Sequence, residues 1–298
     1  MQTEESRART LAIVALLAGA TCIGTSALFV KVSEAGPVST AFWRVFLALP
    51  FLWTWVWLDR RGAVPASPAT RRPRKLLFAA GFFFAGDLAV WHWSIVLTSV
   101  ANAVLLANLA PIFVTLAVWL LWRKKPALKF LAGLAAALTG VILMVGGDFS
   151  HSDGRALLGD ALGVVTAMFY AAYQLTVTRL RGTVSTALIM AVSSVVTAVL
   201  LLPIAWLSGE AFIPATVAGW VKVFGLALIS QVLGQSLIAY AMAHLPSTLS
   251  SVGLLLQPVM AGLFAWILLG ETLGAIAITG GVLVLIGIRI ATQATRQP

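Results

Sequence analysis

The chain has 298 residues, 60% of them hydrophobic and 10% charged, with a mean hydropathy of +0.98, a balance that excludes an ordinary soluble domain. Its formal charge of +10 does not mark a nucleic-acid binder, because the basic residues cluster between apolar runs. Cys22 is the only cysteine, which excludes an intrachain disulfide and a thiolate metal cluster.

Apolar runs of about 20 residues, the length that crosses a hydrocarbon core, recur along the chain. They predict an all-α integral membrane protein with ten helices near 10–31, 38–58, 76–97, 100–122, 128–146, 157–178, 185–207, 217–241, 247–269 and 273–292. The first follows Arg7 and Arg9 and has no small-residue cleavage pattern, so it reads as a membrane helix rather than a removed signal. Only Thr98 and Ser99 mark the turn between the third and fourth helices, and the Arg- and Pro-rich connection 59–75 is expected to be irregular. The fourth helix is interrupted by Asn108 and Pro111, the ninth by Pro258 directly after Gln257. Helices five and ten are almost wholly apolar and glycine-spaced, a pattern that permits close helix contact.

These interruptions repeat. At an offset of 147, Pro111 falls on Pro258, Trp119 on Trp266, Gly133 on Gly280 and Gly140 on Gly287. The coincidence predicts two five-helix repeats, 1–150 and 151–298. An odd number of helices per repeat inverts one relative to the other, about a pseudo-two-fold axis in the membrane plane. With ten spans both termini share a face, and sixteen of the twenty Lys and Arg residues lie on it. By the positive-inside rule that face is cytoplasmic, for a multi-pass protein of a bacterial-type inner membrane.

Ionisable and polar side chains inside these helices are the candidate site. Asp87 lies near the middle of helix three, where a carboxylate costs ~2.5–3.5 kcal/mol even on a lenient insertion scale. It can relay protons, recognise a substrate ammonium, or tie helices together. Trp91 and Ser94 share its helix face at i+4 and i+7, whereas His92 does not and reads as a packing or hydrogen-bonding residue. Arg44, in helix two, can bind a carboxylate, snorkel outward or hold a carbonyl; a gating or structural role is expected, as for Pro111 and Pro258. Helix six carries Thr166, Tyr170, Tyr173 and Gln174, helix eight Gln231, Gln235 and Tyr240, and helix four Asn102 and Asn108. With Gln257 these are expected to line a cavity, because amides and phenols facing lipid would leave hydrogen bonds unmade. Polar glue between helices is the competing account.

The stretches AFWRVFLALPFL (41–52), SVANAVLLANLAPIFVTLAVWLLW (99–122) and STLSSVGLLLQPVMAGLFAWILLGETL (247–273) resemble the drug/metabolite transporter superfamily, in particular its EamA-type ten-helix exporters. The resemblance covers nearly the whole chain and extends to exporters of aromatic amino acids. It departs in the first half, which has Arg123-Lys124 where the second has Gly270-Glu271. It implies a secondary transporter that exports amino acids, aromatic or otherwise neutral, or similar small metabolites by alternating access, with no cofactor. A drug or other metabolite exporter of the same fold is the alternative.

The partners expected are a small-molecule substrate, the lipid bilayer and protons as a candidate coupling ion, with no nucleic acid. An intramembrane enzyme is disfavoured. Asp87 is the only clearly mid-membrane acid, the three histidines are scattered away from metal-ligand spacing, and no phosphate-binding glycine loop is present.

Overall fold

The computed structural model describes residues 2–62, 72–146, 154–270 and 272–295, all of its regular structure helical. Ten helical spans are long and apolar enough to cross a membrane. In chain order they are α1 (Ser6–Lys31), α2 (Pro37–Asp59), α3 (Arg74–Leu97), α4 (Ala101–Trp122), α5 (Leu128–Val145), α6 (Gly154–Leu180), α7 (Thr186–Leu207), α8 (Val217–Ala241), α9 (Ser247–Leu269) and α10 (Ala275–Ala294). The connection expected to be irregular over 59–75 is helical up to Gly62 and again from Arg72. Its centre, 63–71, lies outside the described residues, as do His151, Glu271 and Arg296.

Arg9 donates from Nη2 to the Thr295 carbonyl at 2.9 Å, which brings the first and last spans together on one face, here termed proximal. On the distal face two loops are stitched together. Glu34, after α1, accepts from the Thr216 hydroxyl at 2.6 Å and its N–H at 2.9 Å, at the start of α8. Glu210, after α7, accepts from Val38 N–H at 3.1 Å, at the start of α2. Each carboxylate thus satisfies donors that a helix start leaves free.

Three spans are discontinuous, and a fourth, α8, is distorted without being broken. The fourth helix stops at Ala107 and restarts at Ala110, and the ninth stops at Gly253 and restarts at Leu256. Pro111 and Pro258 each lack the N–H that would reach back four residues, to Ala107 and Leu254, so the break falls in the turn before the proline. The break in α1 and the distortion of α8 have no proline. α1 is interrupted at Thr25, where the freed Cys22 carbonyl accepts from the Thr25 hydroxyl at 2.6 Å and the Ser230 hydroxyl at 3.2 Å. Opposite it, α8 widens into a π-helix over Ala227–Gly234, which turns Ser230 toward that carbonyl and Gln231 toward α2 and α7.

The most extensive helix pair is α5 with α10. A Cβ at Gly140 would lie 2.5 Å from the Gly280 carbonyl oxygen, and one at Gly287 would lie 2.6 Å from that of Gly133. The two backbones touch where the sequence spaces its glycines. Exchanging positions by the offset of 147 turns the Gly133–Gly287 contact into the Gly280–Gly140 contact. The offset pair Arg123 and Gly270 also match, both left-handed with φ of 55° and 68°, although one is not glycine.

Candidate functional site

A cavity of about 200 Å³ lies inside the bundle. Its walls come from the middle and distal halves of α1 to α4, α6, α8 and α9, so the breaks in α1, α4 and α9 all abut it. Breaking these helices is what opens the space: a continuous helix presents side chains, whereas an interrupted one swings its two halves apart.

An arginine and an aspartate face this cavity. Arg44, 8% exposed, donates from Nε to Gln231 Oε1 at 3.2 Å, and among the described residues its two Nη groups make no hydrogen bond. Asp87 has no hydrogen bond or ion pair among the described residues, with Arg44 or any other group. Arg44 therefore does not snorkel to an interface; it is anchored at one nitrogen and offers the other two. Around the pair stand further unsatisfied atoms. Thr166 Oγ1, Gln235 Oε1 and His92 Nε2 are buried without a partner among the described residues, while His92 Nδ1–H donates to the Leu88 carbonyl. Aromatic surface completes the lining: Phe84, Trp91 and Tyr170, the last accepting from Gln257 Nε2 at 3.4 Å. Among the described residues no three His, Cys, Asp or Glu side chains converge in a way that could hold a metal.

Of the residues singled out from sequence, Arg44, Asp87, Trp91, His92, Asn108, Thr166, Tyr170, Gln235, Gln257 and Pro258 meet at this cavity. The remainder sit elsewhere. Ser94 donates to the Gly159 carbonyl at 2.7 Å, because at its height α3 closes onto the glycines of α6; His92, expected to point away, takes part instead. Tyr173 is buried behind the lining, its ring 4.9 Å from that of Phe84 and 6.2 Å from that of Tyr170. Gln231 lies one shell back, between Arg44 and Ser194. Asn102 donates to Asp160 at 3.2 Å, outside the cavity, and Pro111 is buried at the restart of α4. Tyr240 is 36% exposed and packs on His244 near the proximal end of α8, a full turn beyond Gln235. Gln174 is buried with neither amide atom partnered among the described residues.

Two contributors were not visible in the sequence pattern. The wall from α1, residues 23 to 30, is marked there only by Gly24-Thr25-Ser26, small polar residues in an apolar run. Asp160 accepts from the Thr98 hydroxyl at 2.6 Å and so fastens the α3–α4 turn to α6.

The profile of the EamA-like transporter family matches residues 10–146 and again 157–293. An uncharacterized transporter of Archaeoglobus fulgidus is 26% identical over 280 residues, 91% of this chain and 94% of its own length. The pseudopaline exporter CntI of Pseudomonas aeruginosa is 25% identical over 277 residues, 92% of this chain and 93% of its own. A protein of Streptantibioticus cattleyicolor named "Probable terminal-alkyne amino-acid exporter" is 25% identical over 240 residues, 78% and 80% of the two chains. A chain of known crystal structure superposes with a TM-score of 0.79 over 99% of this chain and 98% of its own, at 18% identity, a likeness of fold alone.

Proposed function

The chain belongs to the EamA-like transporter family, and from that premise we propose that it exports amino acids, aromatic or otherwise neutral, or similar small metabolites by alternating access. One observation carries the reading: an intramembrane arginine and aspartate, with no hydrogen bond or ion pair between them among the described residues, on a cavity of about 200 Å³. The free Nη groups of Arg44 take the substrate carboxylate, Asp87 takes its ammonium, and Phe84, Trp91 and Tyr170 receive the side chain. The names of two relatives, exporters of pseudopaline and of an amino acid, support it.

In this reading the proximal face is cytoplasmic in a bacterial-type inner membrane, supported by the sixteen basic residues counted on it. The halves 1–150 and 151–298 are inverted repeats that rock against each other, supported by the exchangeable glycine contacts of α5 and α10 and the matched left-handed residues at 123 and 270. The cavity's distal placement then describes the outward-facing state. No catalytic role is assigned to any residue. Protons are the candidate coupling ion, through Asp87.

Efflux of labelled amino acids from proteoliposomes, with and without a pH gradient, tests this. Saturable flux is expected, and Asp87→Asn is expected to reduce it at least about tenfold, a single charged contact being worth about 1.5–3 kcal/mol. Loss of the pH response in that variant assigns proton coupling to Asp87; an unchanged pH profile removes it. No saturable flux for any amino acid would move the reading to another metabolite of the same fold.

A further inference from the structure

A second cavity, of about 540 Å³, lies on the proximal face. Its walls are the proximal ends of α4, α6 and α9, closed by the α4–α5 connection and the end of α10. The same three helices line the first cavity nearer their middles, through Asn108, Tyr170 and Gln257. Between the two cavities α4 runs from Asn108 to Thr115, α6 from Tyr170 to Leu175 and α9 from Thr248 to Gln257. At 1.5 Å per residue the intervening layer is roughly 8–14 Å thick.

That layer is packed but not satisfied. Among the described residues, Gln174, 1% exposed, has no partner for Nε2 or Oε1, and Ser250, fully buried, has none for its hydroxyl. Buried amides and hydroxyls without hydrogen bonds are uncommon, and such groups regain partners when water reaches them. The proximal cavity is also charged in one sense: Lys124, Lys125 and Arg179 line it, all three exposed, and among the described residues none of them is engaged in a hydrogen bond or ion pair and no carboxylate lines the cavity. The positive-inside bias explains cations along an edge; it does not explain three of them around a cavity walled by three of the helices that line the site.

We propose that this cavity is the loading site, where Lys124, Lys125 and Arg179 recruit the carboxylate of the molecule to be carried, and that the layer holding Gln174 and Ser250 is the gate separating it from the central cavity. The proposal rests on the transport reading above for the identity of the ligand, but the gate does not. When the layer parts, Gln174 and Ser250 become hydrated wall, and the substrate passes from a ring of cations to the Arg44–Asp87 pair. The cations act at range, by attraction of carboxylates, and leave the central pair to hold the zwitterion.

Two measurements separate the parts. In a Cys22→Ser background, Thr248→Cys, Ser250→Cys and Leu249→Cys are treated with a membrane-impermeant thiol reagent applied to the proximal face. Thr248→Cys is expected to react at once, Ser250→Cys slowly, and Leu249→Cys, 2% exposed, not at all. A Ser250→Cys that is inert, or that reacts only from the distal face, overturns the gate whether or not amino acids are carried. In proteoliposomes, the triple change Lys124→Gln, Lys125→Gln and Arg179→Gln is expected to raise KM for an amino acid about tenfold with little change in kcat, and to leave KM for the corresponding amino-acid amide unmoved. Equal effects on acid and amide overturn the carboxylate site. So does a wild-type KM that rises to the triple variant's value when anionic phospholipid is replaced by phosphatidylcholine, which would assign the cations to lipid headgroups.

Discussion

Arg44 is aimed by one bond. Gln231 Oε1 accepts from its Nε, and Gln231 Nε2 donates in turn to Ser194 at 3.2 Å, so Gln231 is a positioning residue. Replacing it by Leu leaves the guanidinium one acceptor short and is expected to cost about 1.5–3 kcal/mol, read as a lower melting temperature in detergent. A KM rise larger for an amino acid than for its amide would separate lost aim from lost stability. Glu34 carries a pH-dependent contribution. The Thr216 hydroxyl first, and then the Thr216 N–H, hold its carboxyl below the ordinary carboxylate range. A group whose pKa is depressed on folding adds stability above its unfolded value, about 4.3, and loses it as pH falls through the folded value. Melting temperature is therefore expected to fall on acidification below about pH 4 more in the wild type than in Glu34→Gln. At this scale the charges were legible in the sequence, because Arg44 and Asp87 interrupt apolar runs where any charge is conspicuous. Asp160 was not: it lies near a helix start, and its partners Thr98 and Asn102 are 62 and 58 residues away. Ser94 and Tyr240 followed the helical stripe correctly but sit at heights where α6 closes over one and the cavity has ended below the other.

At the scale of elements, the contact of α5 with α10 has no slack. A side chain at Gly140 meets the Gly280 carbonyl at 2.5 Å and Val284 N at 2.6 Å, backbone atoms that cannot rotate away. Gly140→Ala is expected to destabilise by about 1–3 kcal/mol. Gly154→Ala, with nothing within 4 Å of the added Cβ, is expected to stay within about 0.5 kcal/mol of the wild type. Paired unfolding measurements in detergent check both. The interruptions of α4 and α9 could be read from Pro111 and Pro258, since a missing N–H is a local property of the sequence. The interruption of α1 and the distortion of α8 could not, because each is fitted to the other. The Cys22 carbonyl accepts from Ser230 as well as from Thr25, and a Cβ on Gly24 would come within 3.0 Å of the Gln257 carbonyl, so the bend of α1 is fitted to neighbours on α8 and α9 that are more than 200 residues away.

For the whole molecule, the ten spans and the shared face of the termini were legible because hydropathy and loop charge are summed over long windows. What lay beyond reach was which polar faces converge, since that depends on the rotation of each helix against distant neighbours. A reporter fused after residue 298 is expected to read as cytoplasmic, and one inserted at Ser208–Gly209, in the α7–α8 connection, as external. The reverse result would invert the direction assigned to the two cavities. The pairing of Arg44 with Asp87 reaches furthest at this scale, through electrical work. Moving one elementary charge through 100 mV takes about 2.3 kcal/mol. The central cavity carries one positive and one negative side chain, and a zwitterion placed between them adds nothing to the sum. A cycle that moves only that molecule is electroneutral, so its flux should ignore a valinomycin-imposed potential, whereas a cycle that also moves a proton through Asp87 carries one charge per turn and should respond to it.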